Sequence, residues 1–126
     1  MKKTGILNQP ISSVLASLGH TDTLVIADAG LPVPPETQRI DLALTEGIPT
    51  FLDTLRIVLT EMQVERAIVA EEMLTVSPHI YEAIRGLLGD VPIETWLVGE
   101  ADAGARLVCG GYRMVWSTEP AQGNPV

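Results

Sequence analysis

A chain of 126 residues with 46% hydrophobic and 4% aromatic content suffices for one domain around one aliphatic core, not for two. Its formal net charge of −8, with Lys2 and Lys3 as the only lysines, gives no basic face for nucleic acid or for an anionic membrane surface. No apolar run approaches the ~18 residues of a membrane helix, the first residues lack the apolar core and cleavage site of a secretory signal, and the single Cys109 fits a reducing, cytoplasmic compartment.

The predicted elements alternate. Ile11 to Leu18 carries apolar residues at Ile11, Val14, Leu15 and Leu18, a helical spacing, and Gly19 is expected to stop it as a C-cap. Thr23 to Ala27 is a β-branched and aliphatic run that reads as a strand buried on both faces. It ends at Asp28-Ala29-Gly30, ahead of a segment with three prolines that excludes regular structure. Arg39 to Thr45 alternates, with Ile40, Leu42 and Leu44 expected on the core side of a second strand. After the turn at Gly47-Ile48-Pro49, Thr50 and Asp53 match the pattern that opens a helix, expected over 50–63. Phe51, Leu52, Leu55, Val58, Leu59 and Met62 form its apolar stripe. Ala67 to Ala70 is a short buried strand, expected in one sheet with Thr23–Ala27. Ser77-Pro78 then starts a helix that runs through Leu88 and stops at Gly89. Val91 to Val98, Arg106 to Cys109 and Tyr112 to Trp116 are further candidate strands, and Glu119 to Val126 reads as a loose tail. Strands alternating with amphipathic helices imply an α/β single-domain sandwich with a largely parallel sheet.

Two residues stand out chemically. His20, between the first helix and the first strand, can give and take a proton near neutral pH, although a lone histidine there also fits a surface or capping role. Asp28 ends a buried strand, the edge where open α/β sheets collect ligands, yet an aspartate that merely caps its loop explains the position equally well. Elsewhere the bland readings lead. His79 opens a helix, Glu71-Glu72 suits a solvated edge, and Cys109 suits a small buried residue. Three scattered His and Cys residues have no zinc spacing, and no phosphate-binding or nucleophile-elbow motif is present.

Several ordered segments together resemble the D-ribose pyranase family. They are Met1 to Asn8, Gly19 to Asp22, Val25 to Pro32, Arg39 to Leu44, Pro49 to Leu55 and Leu87 to Asp90, spanning residues 1–94 without a gap. The resemblance implies a three-layer α/β sandwich and an enzyme with no metal or cofactor. That enzyme interconverts pyranose and furanose forms of D-ribose in the cytoplasm as a ring-shaped homo-oligomer, a pentamer that can pair into a decamer. It assigns the proton donor to His20 and a sugar contact to Asp28. Related readings are a non-catalytic sugar-binding, oligomer-forming homologue and a mutarotase for another sugar such as fucose.

Residues 95–126 depart from the family pattern. The family's second substrate-contacting histidine has no counterpart in Thr95 to Glu100, and its later Tyr and Asn sugar contacts are not matched. The whole of 1–126 is therefore expected to be one mutarotase-like domain whose divergent last part weakens the exchange relative to an intact relative.

Overall fold

The computed structural model describes residues 1–20, 22–28, 35 and 38–96, with the strand at 112–117; for Asp28, Trp96 and that last strand only the backbone is described. In chain order the elements are α1 (Gln9–Ser17), β1 (Thr23–Asp28), β2 (Gln38–Asp41), α2 (Phe51–Leu59), β3 (Ala67–Ala70), α3 (Met73–Val76), α4 (Pro78–Leu88), β4 (Ile93–Trp96) and β5 (Tyr112–Ser117). The α/β class expected from the alternation holds.

Helix starts follow their caps. Asn8 accepts the Ile11 N–H at 2.9 Å through Oδ1, and Pro10 sits in the first turn of α1, so this helix begins two residues ahead of its apolar pattern. At its other end the expectation for Gly19 fails: the chain leaves α1 at Leu18 in an extended conformation, and Gly19 is not left-handed. Thr50 caps α2 as expected, its Oγ1 accepting the Asp53 N–H at 3.1 Å. Thr50→Ala should cost about 1 kcal/mol of stability, measured as a fall in the urea midpoint at unchanged m-value.

The same helix ends at Leu59, short of the expected residue 63. The Thr60 hydroxyl donates back to the Ile57 carbonyl at 2.6 Å, and the Glu61 N–H closes on Val58 at 3.1 Å, so the last carbonyls are satisfied by a tightened turn. α4 runs from Pro78 to Leu88 as the sequence indicates. Gly89 terminates it at φ +62°, a conformation that side-chain-bearing residues rarely adopt.

The strands form two ladders. β3 and β4 pair in parallel, Ala67 opposite Ile93 and Ala70 opposite Trp96. β5 pairs antiparallel with β1 on one side and with β2 on the other, in the order β1-β5-β2, so β1 and β2 run in the same direction. Two expectations change here. Among the described residues Thr23–Ala27 and Ala67–Ala70 lie in separate sheets, and β1 stands at the end of its own. Its residues 23–26 are accordingly half-buried and Ala27 alone is buried. The strand between β1 and β2 comes from Tyr112–Ser117, inside the segment that departs from the family pattern.

A third correction concerns β2. It ends at Asp41, whose Oδ1 accepts the Ala43 N–H at 3.0 Å and turns the chain. Ile40 is buried and Leu42 packs against the core, but Leu44 lies beyond that turn and is 80% exposed.

Two apolar clusters make the core. Ile6, Ile11, Val14, Ile40 and Val58 form one, backed by Leu15, Leu18, Leu24, Ile26, Leu42 and Met62. The other is Val69, Met73 and Ile84, with Phe51, Leu52 and Leu55 packed on it. The stripe of α2 thus serves both, its first turn facing the second cluster and Val58 facing the first.

Candidate functional site

The turn that carries His20 is built by its neighbours. The Asp22 N–H donates to the Gly19 carbonyl at 3.2 Å, and Asp22 Oδ2 accepts the Gly19 N–H at 2.8 Å. This double closure projects the His20 side chain outward, 90% exposed, before β1 begins. There its Nδ1 lies 2.6 Å from Oε1 of Glu65, the residue two positions ahead of β3. Glu65 was not legible as a site residue, since 45 positions separate it from His20 and no local pattern marks it.

Asp28 lies at the opposite end of β1. Its backbone faces Tyr112 of β5 in the register that pairs Thr23 with Ser117. At about 3.3 Å per residue, the strand carries Asp28 roughly 16 Å past Thr23. His20 precedes the start of that strand by three residues, and the backbone of Asp28 closes its far end.

The weaker candidates stay in the background. His79 is exposed in the first turn of α4. Glu71 is exposed, whereas Glu72 is half-buried at the start of α3, and its Oε2 has no hydrogen-bond partner among the described residues. Cys109, with the candidate strand Arg106 to Cys109, lies outside the described residues, as does the segment Glu119 to Val126. Among the described residues no group of three or more His, Cys, Asp or Glu side chains is placed as a metal site requires.

A cleft of 270 Å³ opens between the N-terminus and α1, lined by Lys2, Ser12, Leu15, Ala16 and Glu61. Its polar atoms serve the fold. Lys2 Nζ donates to the Ile6 carbonyl at 2.8 Å, Ser12 Oγ donates to the same carbonyl at 3.1 Å, and Glu61 accepts the Ile6 N–H at 3.0 Å. These bonds fasten the first residues to α1 and to the end of α2, and His20 takes no part in them.

Comparison with known proteins decides the family. The sequence profile of the RbsD / FucU transport protein family matches residues 1–99. The chain belongs to that family. Within it, the chain is 55% identical over 94 residues to a D-ribose pyranase of Geobacillus thermodenitrificans, covering 75% of this chain and 71% of that protein. It is 58% identical over 93 residues to a D-ribose pyranase of Laribacter hongkongensis, covering 74% and 71%. The structure of Bacillus subtilis RbsD complexed with D-ribose superposes with a TM-score of 0.73 at 33% identity, over 97% of this chain and 99% of that one. In this RbsD / FucU chain Tyr112–Ser117, past the residues that the profile matches, stands between β1 and β2.

Proposed function

We propose that this chain is a ribose mutarotase, an isomerase that interconverts the pyranose and furanose rings of D-ribose. What carries the reading is the identity of 55–58% with D-ribose pyranases over three quarters of the chain. Ribose is favoured over fucose because ribose stands in the names of those relatives and in the sugar complex of the similar structure.

The chemistry suits an imidazole. Opening the pyranose breaks the C1–O5 bond, with one proton delivered to O5 and one removed from the anomeric hydroxyl, leaving the free aldehyde. Closing through O4 forms the C1–O4 bond and moves one proton in each direction again, so nothing is consumed. His20 does this work by alternating as acid and base, which is worth ~10²–10⁴-fold for one well-placed group. Asp28 accepts hydrogen bonds from sugar hydroxyls and orients the ring. No redox step or covalent intermediate enters.

His20 is open to water and Asp28 stands at the far end of β1, so in our reading one site takes its histidine from one protomer and its aspartate from a neighbour. That sharing calls for a homo-oligomer, and the resemblance to D-ribose pyranases implies a pentamer or a decamer. Leu7, Leu44 and Val76, each more than half exposed, supply apolar surface that a second copy covers. The chain acts as one domain in the cytoplasm. Its charge of −8 keeps it off nucleic acid and anionic lipid, and none of its described helices is long and apolar enough to cross a membrane.

Saturation-transfer NMR on D-ribose tests the function directly. Added protein should speed exchange between pyranose and furanose signals well above the spontaneous rate, and L-fucose should respond less. Ribose signals that broaden on binding without faster exchange would leave a non-catalytic sugar-binding protein instead.

A further inference from the structure

Two loops that feed different strands meet in one hydrogen bond. His20 Nδ1 and Glu65 Oε1 are 2.6 Å apart, just under the ~2.7–2.9 Å usual for a charge-assisted N–H···O pair. Each partner is held by its own surroundings. The turn at 19–22 is closed twice by Asp22, once through its backbone and once through its carboxylate. Next to Glu65, Arg66 reaches Glu94 of β4 at 3.5 Å, and the Ala67 N–H donates to the Pro92 carbonyl at 2.9 Å. The contact thus joins two anchored backbones.

Its chemical consequence is definite. An ionised carboxylate only accepts hydrogen bonds, so Nδ1 is the nitrogen that carries the proton. In the neutral ring Nε2 then keeps its lone pair, and in the charged ring Nε2–H is the proton that can be given away. We propose that Glu65 is the positioning residue of this site, holding the His20 ring in the orientation and tautomer that present Nε2 to the sugar; this rests on the reading of His20 as the acid–base group. The structure supplies a reason for such a residue. His20 is 90% exposed, and among the described residues the Glu65 carboxylate is the group that holds its ring. The same carboxylate faces the positive charge that develops when Nε2 takes the anomeric proton.

The competing account is an exposed ion pair that does nothing beyond the surface, and a tautomer measurement separates the two. Long-range ¹H–¹⁵N spectra of the His20 ring are recorded on the full chain, at a pH where the ring is neutral, for wild type, Glu65→Ala and Glu65→Gln. Ribose exchange is measured on the same samples. The wild-type ring should be protonated at Nδ1. Glu65→Ala should move the population toward the Nε2–H form and lower exchange about tenfold with ribose affinity kept, a part of what a whole acid–base group supplies. Glu65→Gln still offers an amide oxygen to Nδ1–H and should restore both the tautomer and most of the rate. An unchanged tautomer or rate in Glu65→Ala, or an equal loss in Glu65→Gln, overturns the role of Glu65 while an inactive His20→Ala leaves the function standing. A fully active His20→Ala overturns the roles of Glu65 and of His20 alike, while the ring exchange itself still stands.

Discussion

His20→Ala is expected to lower the rate of ribose ring exchange by about 10²–10⁴-fold while leaving the melting temperature nearly unchanged. The two halves of that expectation have separate causes. The rate falls because the imidazole that moves both protons is gone. Stability holds because the His20 side chain is 90% exposed, its partner is 63% exposed, and such a pair contributes little to folding. The turn itself is closed by Asp22 and Gly19, not by the ring. Saturation-transfer NMR reads the rate, and circular dichroism reads the fold. A rate indistinguishable from wild type sinks the acid–base role. Joint loss of rate and fold would mean that the turn depends on His20, contrary to the hydrogen bonds around it.

Most of the fold was legible where a local pattern and a cap agree. Thr50 with Asp53 and the stripe from Phe51 onward locate α2, and Ser77-Pro78 with Gly89 brackets α4, because the signals for starting and stopping a helix lie within a few residues of its ends. What escaped the sequence was long-range or very short. α3 has four residues, too few to show a period. Leu44 fits the alternation of its neighbours, but the Asp41 side chain captures the Ala43 N–H first and ends the strand. The partner of β1 is Tyr112–Ser117, more than eighty positions downstream, and no run of apolar residues names the strand it pairs with.

The candidate site divides along the same line. His20 and Asp28 were found by their neighbours in sequence, Gly19 to Asp22 and Val25 to Pro32, as a resemblance and not by local chemistry, which left each with a bland alternative. Eight positions separate them in sequence. Asp28 is the last residue of a six-residue strand, and the extended backbone puts roughly 16 Å between it and Thr23, the strand's first residue. Glu65 is the reverse case, remote in sequence and adjacent in space.

That separation leads to the second large effect. His20→Ala and Asp28→Ala, each nearly inactive alone, are expected to recover activity when their subunits are mixed. If a site takes its histidine from one protomer and its aspartate from the next, random mixing pairs a sound histidine with a sound aspartate at about a quarter of the interfaces. The mixture should then exchange ribose at about a quarter of the wild-type rate, against a background two or more orders lower for either variant. Mixing needs subunits that trade places, so the two chains are co-expressed with different tags and purified through both. Light scattering on the same material gives the size of the assembly. Had both residues acted within one chain, every site in the mixture would keep one defect and no activity would return. Doubly tagged oligomers without recovered exchange would therefore place His20 and Asp28 in a single-chain site and refute the shared one. A monomer in solution would refute it as well, because an exposed imidazole at one end of β1 would then have no neighbour's aspartate to meet.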